Sequence, residues 1–150
     1  LLLGELQPDP HLSKCMLGSV SLDAREIELR IDHSEQDLAD CTALAREAVK
    51  ILPDLERSAR EIATERLLRE HNDHWRIFAR ARSDGAMEEV ETPLLTHEIF
   101  ASRLRLTALF VSAPSLEFTF DDDGLFAGHT VCVTSFDGIA LSDAQASLFG

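Results

Sequence analysis

Residues 116–133 read LEFTFDDDGLFAGHTVCV, and this stretch predicts a β-hairpin. Apolar and polar residues alternate in its first part, where the apolar ones are Leu116, Phe118 and Phe120. This is the period of a strand with one buried face. The following DDDG is expected to be a tight turn, because Gly124 tolerates a positive φ. The returning strand is then expected to place His129, Val131 and Val133 on one face.

The tip of this hairpin gathers the residues best suited to chemistry. Asp121, Asp122 and Asp123 offer carboxylates, and His129 lies on the facing strand. Such groups can bind a divalent metal, and a carboxylate that holds an imidazole N–H can also support acid–base catalysis. The alternative is a solvated turn beside a half-buried histidine bonded to a backbone carbonyl. This alternative is favoured, so no residue is assigned to catalysis or to a metal.

The composition is that of one globular domain spanning residues 1–150. Hydrophobic residues make up 45% of the chain and charged residues 27%. No apolar run approaches the roughly 20 residues that cross a bilayer, so no membrane association is predicted. The opening LLLGELQ has neither methionine nor a basic segment, which predicts no signal peptide and fits a fragment lacking its true N-terminus.

The formal net charge is −13, from 27 acidic residues against 14 Lys and Arg. Binding to nucleic acid needs clustered basic residues, so we predict no nucleic-acid partner. The charge serves solubility in most proteins, and it also suits an acidic surface that binds a basic protein.

The cysteines are few and far apart in the chain. Cys15, Cys41 and Cys132 form no closely spaced pair, which argues against a disulfide framework and against a zinc finger. Reduced thiols in the cytoplasm are therefore expected. Cys132, in the middle of a strand, is expected to be a small buried residue more readily than a nucleophile.

The N-terminal part predicts three strands, over 1–7, 12–22 and 25–32. The third is the clearest, because Ile27, Leu29 and Ile31 alternate with charged residues. The apolar period then changes from two to 3.6. We expect a helix from Ser34, which resembles a capping residue, to about residue 51. A second helix, separated from the first at Pro53, is expected to reach about His71.

The remainder predicts strands and two short helices. A turn is expected at 83–85, with the acidic residues of 88–91 on a solvated loop. Thr96 is expected to cap a helix near 97–103 that buries Ile99, Phe100 and Leu104. A strand over 106–112 precedes the hairpin, and a Ser142–Gln145 capping box predicts a last helix near 143–148. The fold class is thus α+β, with a mostly antiparallel sheet of about five or six strands and both long helices on one face.

The hairpin resembles a motif of a bacterial family, the domain-of-unknown-function family 2262. The residues that carry the resemblance run from Asp121 through Leu125-Phe126-Ala127-Gly128-His129 to Val131. Weaker similarity extends to LGEL at 3–6, to Asn72-Asp73 before Trp75, and to the closing Asp143-Ala144. The family pattern has Trp where Ala127 stands and reverses the order of Asp123-Gly124. The resemblance implies the fold of the family and no particular activity.

Two hypotheses of function follow. The first is a non-catalytic domain that binds a basic protein through an acidic surface, with an immunity protein that neutralises a toxin as one version. The second is a metal-dependent or acid–base enzyme centred on His129 and the Asp121–Asp123 turn. The binding residues expected for either are Asp121, Asp122, Asp123, Phe126, His129 and Trp75. His71 and His74 could bridge a metal, but dipole interactions at a helix end explain them more simply. No nucleotide or metal motif is present, so no cofactor is predicted.

Overall fold

Seven strands form one mixed sheet in the computed structural model, which describes residues 3–150. The elements in chain order are β1 (Gln7–Pro8), β2 (Cys15–Leu22), β3 (Arg25–Asp32), α1 (Leu38–Lys50), α2 (Leu52–His74), β4 (Ile77–Ala81), β5 (Met87–Glu91), α3 (His97–Arg103), β6 (Arg105–Ser112), β7 (Ser115–Asp121), β8 (Thr130–Ser135), a 3-10 turn (Gly138–Ala140) and β9 (Gln145–Phe149). The large sheet has the order β1-β2-β3-β6-β7-β8-β9, and β4 pairs only with β5.

The α+β class is confirmed, while the sheet is larger than predicted. It has seven strands instead of five or six, and β3 runs parallel to β6. The parallel pair arises because residues 33–104 cross over the sheet and carry all three helices of the described chain. A helical crossover is the usual way to join parallel strands, so the mixed sheet follows from the position of the helices in the chain.

The core lies between one face of the sheet and the long helices. The bounds of β3 agree with the prediction, and Ile27, Leu29 and Ile31 are fully buried. The helices contribute small residues that permit close approach to the sheet: Cys41, Ala45, Ala48, Ala59 and Ala63. The other face of β3 exposes Glu26 and Glu28. The buried and exposed faces alternate as the sequence requires.

The start of the chain differs from the predicted meander. Residues 1–2 lie outside the described part, and the first strand contains only Gln7–Pro8 instead of 1–7. Ser34 does not cap α1, because its N–H donates to the Asp32 carboxylate and the helix begins four residues later. Helix α2 continues three residues beyond the predicted end, through His74.

The last predicted helix is wrong, because residues 145–149 form strand β9. Val131 of β8 pairs with Leu148, and Val133 pairs with Ala146. The exposed backbone groups of β8 need partners, and this pairing outweighs the local capping signal. The Ser142 hydroxyl is not a cap either, since it donates to the Asp137 carboxylate.

Strands β4 and β5 form a hairpin separate from the large sheet. Its turn at Arg82–Ala86 confirms the prediction for 83–85. The acidic residues expected on a loop lie instead on strand β5, where Glu89 and Glu91 are exposed. In α3, the Thr96 hydroxyl accepts from the Ile99 N–H as predicted, but the Ile99 side chain is exposed while Phe100 is buried.

All three cysteines are free and buried. Burial raises the pKa of Cys132 to about 11, and the nearby Glu117 carboxylate acts in the same direction. A thiol with this pKa is not a nucleophile at neutral pH. Among residues 3–150, no helix is long and apolar enough to cross a membrane.

Candidate binding site

The connection between β7 and β8 is an eight-residue loop, 122–129, organised by one buried carboxylate. Asp122 is 4% exposed and accepts hydrogen bonds from the N–H of Gly124 at 3.0 Å and of Phe126 at 2.8 Å. These bonds turn the chain so that Leu125 and Phe126 enter the core. The predicted tight turn is therefore wrong in size, because the loop must return two apolar side chains to the interior.

The three neighbouring carboxylates serve three different partners. Asp121 pairs with Arg105 at 3.0 Å and also accepts from the N–H of Asp123 at 3.1 Å. Asp123 pairs with Arg103 at 3.1 Å, whereas Asp122 bonds only to backbone N–H groups of the loop. Within the described chain, no group of three or more His, Cys, Asp or Glu side chains is arranged to hold a metal ion. The acids thus fix the loop to α3 and β6 and do not converge on one point.

His129 ends the loop, directly before β8. Its Nδ1 lies 2.8 Å from the carbonyl oxygen of Phe126, so Nδ1 carries the hydrogen and donates it. The ring meets Trp75 edge to face, with 5.2 Å between ring centroids. The histidine bonds to a backbone carbonyl and not to a carboxylate of the loop.

Phe126 stands at the centre of an aromatic cluster. Its ring centroid is 5.5 Å from those of His71 and Trp75 and 6.0 Å from that of Phe100. All these contacts are edge to face, the geometry that aromatic quadrupoles favour. The cluster joins the end of α2 to α3 and to the loop 122–129.

A cavity of about 660 Å³ opens beside this cluster. Its wall is mainly apolar and includes a few polar groups. The lining residues are Glu70, His71, His74, Trp75, Ile77, Phe78, Thr92, Pro93, Leu95, Arg103, Gly124, Leu125 and Ala127. This volume lies within the range of about 300–1,000 Å³ that is typical of ligand sites. Ala127 of the loop 122–129 belongs to the wall.

The far wall of the cavity is held by the side chain of Asn72. Its Nδ2 donates to the carbonyl of Leu95, and its Oδ1 accepts from the N–H of Leu95, both at 3.0 Å. Arg76 adds a bond of 2.7 Å to the carbonyl of Thr92. These contacts anchor segment 92–95 to the end of α2, so the cavity keeps its shape without regular secondary structure on that side.

His71 is the buried polar group of the cavity, with 3% of its surface exposed. Burial lowers the pKa of this imidazole, and the positive charges of Arg103 and Arg76 lower it further. The hydrogen bond to Asn72 and the negative charge of Asp122 raise the pKa, but they do not cancel the effect of burial. The imidazole is therefore neutral at physiological pH.

We expect this burial to make the protein less stable in mild acid. The unfolded chain has the higher pKa at His71, so it takes up a proton first, and the stability contributed by the neutral imidazole is lost as pH falls below about 6.5. The loss is at most about 1.4 kcal/mol per pH unit. Urea unfolding at about pH 7.5 and about pH 5.5 measures it.

His71→Phe should reduce this acid-induced loss, whereas His97→Gln should retain it. His97 is an exposed histidine of α3 paired with Glu61, so the second variant removes an imidazole without removing the buried one. An equal loss in the parent and in His71→Phe would contradict the expectation.

The mouth of the cavity continues onto the β4–β5 hairpin. Ile77 and Phe78 line the cavity and yet are 56% and 42% exposed, and Met87 on the paired strand is 65% exposed. Every residue of β4 is exposed. The hairpin therefore presents exposed apolar side chains next to the cavity.

The structure brings together only some of the residues expected to form the site. Trp75, Phe126 and His129 meet in the aromatic cluster, although Phe126 is fully buried and supports the cavity from behind. The sequence by itself predicts neither the cavity nor the exposed β4–β5 hairpin. Its signal for His71 lies in spacing, because Ala63, Leu67 and His71 recur every four residues on the buried side of α2.

Comparison with known proteins identifies one family. The family of uncharacterized proteins conserved in bacteria, domain-of-unknown-function family 2262, matches residues 2–145. No curated protein and no solved structure gives a significant match.

Proposed function

Because the chain belongs to family 2262 of bacterial proteins, whose description names no activity, we propose a function from the site alone. The protein is a non-catalytic binding domain whose cavity receives an apolar side chain from a basic segment of a protein partner. The continuity between the cavity and the exposed hairpin carries this proposal, since Ile77 and Phe78 belong to both.

The apolar contacts would supply most of the affinity. A cavity beside Trp75 can desolvate one aromatic or large aliphatic side chain, as the anchors of protein interfaces require. The exposed residues Ile77 and Met87, which lie on one face of the hairpin, would then cover the flanking part of the partner. Binding of this kind requires no catalytic group, which agrees with the separate roles of the three aspartates.

Charge indicates the chemistry of the partner. The net charge is −13, Glu70 lines the cavity, and Glu89 is exposed on β5. Arg76 and Arg80 are paired with Glu91 and Glu88 in the same region. A segment with Lys or Arg near its apolar anchor complements this surface. In the narrower form of the proposal, the partner is a basic enzyme in the cytoplasm that the domain inhibits, as an immunity protein does.

Selection of random peptides displayed on phage tests the proposal. We expect the selected peptides to combine a large apolar residue with Lys or Arg and to bind more weakly at high salt. Phe78→Ser should lower the affinity for these peptides by about tenfold or more, which equals about 1.4 kcal/mol of binding free energy. Glu70→Gln should also lower this affinity, by a smaller factor.

Leu12→Ser is the matched control. Leu12 is 51% exposed, but it lies in the β1–β2 connection and does not line the cavity. This variant should bind the selected peptides like the parent. Peptides that are predominantly acidic, or that bind Phe78→Ser as tightly as the parent, would refute the proposal.

A further inference from the structure

We infer that the cavity is selective for an aromatic group that carries a hydrogen-bond donor, and that Nε2 of His71 accepts this bond. The inference rests on the proposed binding function and specifies the chemistry of the inserted side chain. Among the groups found in proteins, the indole of Trp and the phenol of Tyr match this description.

The orientation of the Asn72 amide determines which nitrogen of His71 carries the hydrogen. The backbone of Leu95 fixes that amide, because Oδ1 must accept from the Leu95 N–H while Nδ2 donates to the Leu95 carbonyl. Oδ1 also lies 3.4 Å from Nδ1 of His71. Since this oxygen can only accept, Nδ1 is the protonated nitrogen, and Nε2 of the neutral ring keeps its lone pair.

Nε2 is the ring nitrogen of His71 that has no protein partner in the described chain. Within residues 3–150 it makes no hydrogen bond, while Nδ1 is bonded to Asn72. In the described chain, the fully buried side-chain nitrogens and oxygens without a partner are Nε of Arg30 and Nε of Arg60. Nε2 is not among these buried atoms and His71 lines the cavity, so we place Nε2 at the cavity surface although the residue is 97% buried.

The surrounding charges favour the neutral acceptor. Arg103 and Arg76 disfavour a second proton on the ring, and Asp122, bonded to two backbone N–H groups, only partly offsets them. A neutral acceptor in an apolar cavity favours a ligand that can donate to it, because a ligand without a donor leaves Nε2 desolvated and unpaired.

Indole and indene test this inference, because they share a shape and differ at the N–H. We expect indole to bind the parent protein roughly 3- to 10-fold more tightly than indene, as one hydrogen bond would give. Titrations followed by backbone amide NMR shifts should place both compounds beside Trp75 and Leu125. The Nε2 resonance of His71 should respond to indole and not to indene.

His71→Phe should abolish the preference for indole while keeping an aromatic ring beside Phe126. Equal binding of both compounds by the parent would overturn the inference and leave the cavity as a simple apolar site. Binding of neither compound would overturn the inference together with the proposed function. The comparison in the parent alone decides between these outcomes if His71→Phe does not fold.

Discussion

Replacement of Phe126 by alanine should lower the free energy of unfolding by about 3–5 kcal/mol. The Phe126 side chain is fully buried and contacts His71, Trp75 and Phe100 at once. Its removal leaves a void between α2, α3 and the loop 122–129, which are too rigid to close it. At this chain length, each kcal/mol corresponds to about 2–4 °C in Tm, so urea and thermal unfolding both resolve the effect.

Phe136→Ala is the control for this experiment. Phe136 is 48% exposed, and the hydrogen bond near it uses its backbone N–H, so truncation of the ring should cost below about 1 kcal/mol. If both variants lost a similar free energy of unfolding, the buried ring of Phe126 would contribute no more stability than an exposed ring.

The contrast between two strands shows how much of the fold the sequence determines locally. In 26–32, charged and branched apolar residues alternate strictly, and this pattern alone predicts the strand with its buried face. In 145–149, the residues QASLF alternate over only four positions, with one large apolar residue among them, and they overlap a helix-capping signal. They are a strand only because β8 presents an open edge, and no local pattern reveals that edge.

The candidate site shows the same division. Two aromatic members of the site could be anticipated, since Trp75 is the single Trp of the chain and Phe126 belongs to the distinctive stretch 116–133. The roles of the aspartates could not, because the partners of Asp121 and Asp123 lie 16 and 20 residues away in sequence. Likewise, the cavity depends on Asn72 binding Leu95 across 23 residues. Such contacts are set by the path of the chain and have no periodic signature.

The loop 122–129 links stability to the proposed function. It supplies Phe126 to the aromatic cluster and Leu125 and Ala127 to the cavity wall. Ala127 and Gly128 have positive φ values of 53° and 94°, so the loop follows a path that few residue types adopt readily. The hydrogen bonds that hold this path therefore also determine the shape of the cavity.

Asp122→Ala should lower the free energy of unfolding by roughly 2–4 kcal/mol, because it removes the acceptor of two backbone hydrogen bonds. The N–H of Phe126 would remain buried without its partner. Urea unfolding measures the loss, and hydrogen exchange should show faster exchange at Phe126. Asp121→Ala removes the neighbouring carboxylate, which pairs with Arg105 and also accepts from the backbone N–H of Asp123. Both partners are at the surface and can bond to water instead, so this variant should cost about 1 kcal/mol or less. If both variants lost the same stability, the effect would come from net charge, and Asp122 would not be the residue that holds the loop.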